Sequence, residues 1–173
     1  MLPKRYSAGF SLIELMVAVA IIVLLAAVAA PSYQTWIQNT KIRTAAESIL
    51  NGLQKARSEA LLRNTRVQFV LDDGSSSWHI ECVDAAKCPG WTGETRSSEE
   101  GSSDTISVTD AGGGTTVIFN NLGIKSGGDL TQIVVDSFTI DSEDTRDLQI
   151  DIGSNGIVRM CDPNASASDP RKC

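Results

Sequence analysis

The sequence predicts an α+β chain: a long amino-terminal helix, apolar in its first half and amphipathic in its second, packed on a small antiparallel β domain. Three observations predict it. Phe10 to Ala30 is apolar apart from Ser11 and Glu14, and at ~1.5 Å per residue the run makes about 30 Å of helix, the thickness of a bilayer's hydrocarbon core. Apolar residues then return at Ile42, Ala45, Ala46, Ile49, Leu53, Ala56 and Ala60, with polar residues between them, the spacing of one helix face. From residue 66 onward short runs of β-forming residues alternate with Gly, Asn and Asp turn signals.

The apolar run is a membrane segment rather than a secretory signal peptide. Lys4 and Arg5 form the short basic region that both require, but a signal peptide has an apolar core of about 7–15 residues followed by a small-x-small cleavage site. Here the core is too long and the processing signal precedes it. Ala8-Gly9-Phe10-Ser11-Leu12-Ile13-Glu14-Leu15 resembles the type IV prepilin signature. The resemblance implies that a prepilin peptidase cuts between Gly9 and Phe10 and methylates the new terminus. Residues 1–9 would then be a leader and 10–30 the transmembrane and filament-core helix. A carboxylate inside a membrane helix costs roughly 2.5–3.5 kcal/mol at the bilayer centre and usually marks function. Phe10 and Glu14 are four apart and would share a helix face, so Glu14 can neutralise the new amine of its own chain or of a neighbour, the role the family assigns to it.

Composition bounds the rest. The chain of 173 residues, 42% hydrophobic and 21% charged, has room for one anchored helix and one modest domain. Its charge of -6 is uneven, because residues 66–173 hold eight basic and 18 acidic residues, a net of -10. Such a domain repels nucleic acid and anionic lipid on average. Lys4 and Arg5 before the span, with no strongly basic block just after it, put the amino terminus in the cytoplasm and the domain outside. An oxidising compartment suits Cys82, Cys88, Cys161 and Cys173. Three pairings are open, and short loops close readily, which favours Cys82 with Cys88 and Cys161 with Cys173. The rival, a zinc site, lacks the usual C-x(2-4)-C spacing, and the one histidine, His79, falls in a strand-like run. Neither a metal nor a cofactor is expected.

Pro31 removes one backbone hydrogen bond, so residues 31–65 read as a continuation of the helix, kinked or loosened but not ended there. Pilins carry a proline at this distance from the cleavage site. The helix is expected to run from Phe10 to about Asn64. Near its end, Leu53-Gln54-Lys55-Ala56-Arg57-Ser58-Glu59-Ala60, followed by Arg63-Asn64 and a strand, resembles the GspH/FimT family of minor pilins and pseudopilins. Read without the family, this is an amphipathic helix with small residues inward and Arg57, Glu59 and Arg63 solvated.

Strands are expected at Arg66–Leu71, Trp78–Val83, Thr105–Thr109, Thr115–Asn120, Ile133–Ile140, Leu148–Ile152 and Ile157–Cys161. Turns are expected at Asp72-Asp73-Gly74, Gly112-Gly113-Gly114, Ser126-Gly127-Gly128 and Ser154-Asn155-Gly156, the last closing a hairpin. The family implies a β-sandwich-like domain under the carboxyl half of the helix and an apolar strand followed by Asn-x-x-Gly, here Asn120 to Gly123. Gly93 to Gly114 reads as an exposed, mobile loop containing one strand. The acids Asp141, Glu143, Asp144 and Asp147 lack calcium-loop spacing and read as a solvated loop. No nucleophile stands with a base and an orienting group, so catalysis is not expected.

The resemblance implies a minor type IV pilin that helps initiate or cap a pilus. It would be held in the bacterial inner membrane with the domain periplasmic, then drawn into the surface filament. Other minor pilins and the major pilin would be its partners, through the amino-terminal helix. Two alternatives share the fold: a pseudopilin of a type II secretion system, and a FimT-like DNA-uptake receptor. The receptor reading rests on a carboxyl-terminal Gly-Arg-x-Arg motif, where this chain has Gly156-Ile157-Val158-Arg159. With only Arg159, Arg171 and Lys172 near that end, DNA contact would be weak and strongly salt-dependent.

Overall fold

The structure, a computed structural model, describes residues 9–72, 74–100, 105–110, 112–141 and 145–173. Lys4, Arg5, Ala8, Asp73, Glu143 and Asp144 lie outside the described residues, as do 101–104 and 111 of the Gly93 to Gly114 loop. Helix α1 spans Leu12–Leu62, two residues later than the expected start at Phe10. Ser11 is the reason: its carbonyl takes the first helical bond, from Leu15 N–H at 3.2 Å, and serine is a preferred residue at that boundary. Pro31 lies inside α1 without ending it. Residues up to Trp36 form one compact unit and Ile37–Cys173 another.

In the second unit α1 buries Ile42, Ala45, Ala46, Ile49, Gly52, Leu53, Ala56 and Ala60. This face is mostly small, so the backbone lies close to what it covers. It packs on two antiparallel sheets. The first holds β1 (Val67–Leu71), β2 (Trp78–Cys82), β3 (Glu94–Arg96), β5 (Thr116–Phe119) and β6 (Lys125–Gly127), in the order β3-β2-β1-β5-β6. The second holds β4 (Ile106–Asp110), β7 (Gln132–Ser137), β8 (Leu148–Ile152) and β9 (Val158–Cys161), in the order β4-β7-β8-β9. Alternation sets the register: Phe69 stands opposite Ile80 and Val117, and Val135 opposite Val108. With Phe119, Leu130, Ile133 and Ile150 these side chains and the inner face of α1 make one core.

Two expectations fail in this domain. Gly93 to Gly114 holds two strands rather than one, and Lys125–Gly127 is a strand where a turn was expected. Both β3 and β6 are three residues long and polar, and sit at the edges of the first sheet, where backbone pairing alone defines them. Gly93 lets β3 approach, since a side chain there would run into the Ile80 carbonyl. The Asn155-Gly156 turn closes the β8–β9 hairpin, with Gly156 at φ 76° and Asn155 Oδ1 accepting from Ile157 N–H at 3.0 Å.

Gly52 marks a close approach of helix and sheet. A Cβ there would stand 2.8 Å from Trp78 Cε2 and 2.9 Å from Phe69 Cε2, and both rings are buried. Gly52→Ala therefore sets two effects against each other. Alanine gains about 1 kcal/mol of helix propensity, whereas overfilling a packed core costs about 1–3 kcal/mol. Phe69 is fully buried and Trp78 nearly so, so the packing cost should win, with a net loss of up to roughly 2 kcal/mol. Urea unfolding measures it, and a variant more stable than wild type would mean that the helix can lift off the sheet.

Candidate functional site

Gly9 and Phe10 precede α1 in exposed, irregular backbone. Phe10 is 85% exposed, and a Cβ on Gly9 would meet nothing within 4 Å. Phe10 therefore does not share a helix face with Glu14 in the unprocessed chain. Glu14 lies in the first turn of α1, exposed and without an ion pair among the described residues. A carboxylate there faces the positive end of the helix dipole. Sequence reasoning missed Ser11 as the boundary residue, although Ser11-Leu12-Ile13-Glu14 spells the S-x-x-E helix-start pattern. From Phe10 to Val28 thirteen large apolar side chains are each more than half exposed, and α1 contains a stretch long and apolar enough to cross a membrane.

The reading of Arg57 and Arg63 as solvated is corrected. Arg57 Nε donates to the Gly123 carbonyl at 2.9 Å. That carbonyl belongs to a tight turn in which Asn120 Oδ1 accepts from the N–H groups of Leu122 and Ile124, and Gly123 stands at φ 71°. Two family patterns 66 residues apart thus meet as one lock between helix and β domain. Arg63 pairs with Glu59 at 2.8 Å and lies 4.2 Å over the Trp91 ring.

Disulfides join Cys82 to Cys88 and Cys161 to Cys173. The first ties the end of β2 to a 3-10 turn at Ala85–Lys87, where Asp84 Oδ1 accepts from Ala86 N–H at 3.2 Å. The second folds the tail onto β9: Asp162 N–H donates to the Arg171 carbonyl at 2.7 Å, and the buried Asp162 carboxylate accepts from Arg146 Nε at 3.0 Å.

The three candidate DNA contacts are occupied within the chain. Arg159 lies 3.7 Å from Asp151, Lys172 Nζ donates to the Ala165 carbonyl, and Arg171 holds both oxygens of Asp169. The guanidinium keeps the Asp169 carboxyl well below the usual range and raises Arg171. Ile157, at the position of the motif's first arginine, is 55% exposed.

Of the acids read as a solvated loop, Asp147 is half-buried. It accepts from Asn164 Nδ2 at 3.1 Å, and the single hydroxyl proton of Thr145 is shared between Asp147 at 3.3 Å and Asp136 at 3.2 Å. Burial first, then the adjoining Asp136 carboxyl, push Asp147 up to about 6. No group of three or more metal-ligating side chains occurs among the described residues. Two open clefts have volumes of about 260 and 250 Å³, one beside α1 lined by Lys55, Trp78 and Glu94, the other beyond the end of α1 lined by Arg66, Asp84 and Lys87. Neither lining includes a histidine or cysteine.

An exposed apolar helix leading into a helix-backed pair of antiparallel sheets defines a pilin-type subunit. The chain belongs to the GspH family of minor pilins and pseudopilins: residues 45–156 match the model described as type II transport protein GspH, and residues 4–30 match the prokaryotic N-terminal methylation motif. It is 34% identical over 127 residues to a fimbrial protein of Pseudomonas aeruginosa, covering 73% of this chain and 75% of that one. Its fold is similar to the type IV minor pilin FimU of Pseudomonas aeruginosa, with TM-score 0.54 at 14% identity over 76% of this chain and 94% of that one. It is also similar to the minor pseudopilin EpsH from the type 2 secretion system of Vibrio cholerae, with TM-score 0.50 at 12% identity over 72% and 99%.

The Asp147 geometry makes stability pH-dependent. Its pKa is raised from 3.8 in the unfolded chain to about 6, so the folded state binds the proton more tightly. The associated stability is fully present below about pH 4 and is lost as pH rises through 6. Asp147→Asn keeps an amide facing Asp136 without the charge. It should raise the melting temperature at pH 8 and leave it unchanged below pH 4. Equal shifts at both pH values would show that Asp147 does not titrate against Asp136.

Proposed function

We propose that this chain is a minor subunit of a type IV pilus that helps start or cap the filament. Residues 10–30 hold it in the inner membrane with the β domain in the periplasm, until assembly draws it out. The carrying observation is the run of exposed apolar side chains from Phe10 to Val28, which either lipid or neighbouring helices can cover. The fimbrial relative supports the pilus over other members of the family. Cleavage between Gly9 and Phe10, by the peptidase that such a motif serves, frees an amine four residues before Glu14. If the helix then extends back to Phe10, amine and carboxylate come onto one face. A carboxylate that is costly in lipid gains a cationic partner there, from its own chain or the next.

A pseudopilin of a type II secretion system is the second reading, favoured by the GspH family match. Its partners too would be pilin-type helices. DNA is not among the partners we propose: Arg159, Arg171 and Lys172 are each engaged by groups of the chain itself, and residues 66–173 carry a net charge of -10.

Glu14→Val tests the role of the carboxylate. Removing a charge from an apolar segment favours membrane residence, so the inserted pool should stay at wild-type level while the chain's share of sheared surface filaments falls severalfold. Wild-type incorporation of the variant would show that Glu14 meets no neighbouring amine. A wild-type chain absent from surface filaments altogether would favour the secretion-system reading.

A further inference from the structure

The aromatic pair at the far end of the apolar run has no part in the assembly described above. Tyr33 and Trp36 lie three residues apart on α1 and so share a face. Their rings stack, with centroids 5.9 Å apart and planes inclined by 27°. Both face outward, 60% and 62% exposed. A ring with an apolar body and a polar edge suits a boundary between hydrocarbon and water, where Trp and Tyr are enriched in spanning helices.

We propose that Tyr33 and Trp36 seat this helix in the headgroup layer of the leaflet opposite Glu14, and so fix how deeply the segment lies in the membrane. The proposal rests on the membrane-anchored reading above. Charge alone does not set the depth, because no charged residue occurs between Glu14 and Lys41, about 40 Å of helix at ~1.5 Å per residue. The hydrocarbon core needs only about 30 Å of that, which leaves the helix free to slide. From Leu12, where α1 begins, to Tyr33 is about 32 Å at the same rise. With the Glu14 turn at one interface, the pair therefore falls at the other. Side chains on a helix lean toward its amino terminus, so both rings reach back toward the acyl chains. Of the two residues between them, Thr35 Oγ1 donates to the Pro31 carbonyl within the helix at 3.3 Å, and the exposed Gln34 adds a polar side chain at the same level of the helix.

The test is tryptophan fluorescence of the full chain in phosphatidylcholine vesicles, with lipids carrying a nitroxide near the headgroup, at mid-chain or at the chain end. The headgroup-proximal label should quench most. Trp36→Phe should abolish that lipid-dependent quenching, and adding Tyr33→Trp to this variant should restore it with the same preference for the shallow label. The proposal is overturned if the chain-end label quenches most, if Trp36→Phe leaves the quenching unchanged, or if a chain that floats with the vesicles shows none. A chain that fails to float with the vesicles would instead overturn the membrane-anchored reading, and this proposal with it.

Discussion

The rest of the structure depends on apolar surface that the chain cannot cover by itself. Thirteen large side chains between Phe10 and Val28 are more than half exposed, and full burial is worth about 1.5–3 kcal/mol for each. The total is of order 20–40 kcal/mol, several times the net stability of an ordinary domain. No rearrangement of a domain this size supplies it. The segment requires lipid, or apolar helices from neighbouring subunits. The same surface satisfied by either medium is what allows a subunit to leave a membrane and enter a filament.

The proposed passage between two such media would require the domain to be self-sufficient. Its core is closed by the second half of α1, whose small inward residues let the helix backbone lie against Phe69 and Trp78. Arg57 reaches the turn at Gly123, and Lys55 pairs with Glu94 on β3. Two disulfides close the remaining excursions, one beside β2 and one at the tail. The helix is therefore partner to the sheets over one stretch and an open apolar rod over another. Its sequence separates the two: a nearly unbroken apolar run up to Ala30, then apolar residues, mostly small, spaced along a single face.

The amphipathic face and the long strands were legible because burial leaves a period, near 3.6 in a helix and 2 in a strand. Ile42 to Ala60 and the alternation of Val67, Phe69 and Leu71 are of that kind. The edge strands β3 and β6 were not, since Glu94-Thr95-Arg96 and Lys125-Ser126-Gly127 carry no apolar period and exist through backbone pairing with β2 and β5. Contacts across long separations were equally hidden. Arg57 and Gly123 each belonged to a recognisable pattern, but nothing local said that one would bind the other. Asp136 and Asp147 are brought together by β7 and β8 pairing, so a group that looked solvated acquires a shifted pKa. At the other end, Ser11 was readable as a helix boundary and was masked by the continuity of the apolar run.

Whether the exposed apolar surface is used depends on how the helix reaches its working form. Intact-mass and amino-terminal analysis of the chain purified from membranes decides it most directly. A chain beginning at Phe10 with one added methyl group is the predicted result. A mature terminus downstream of Ala26 would mean that the apolar run is removed with a signal peptide, and that the exposed surface on which the account rests is never used in assembly.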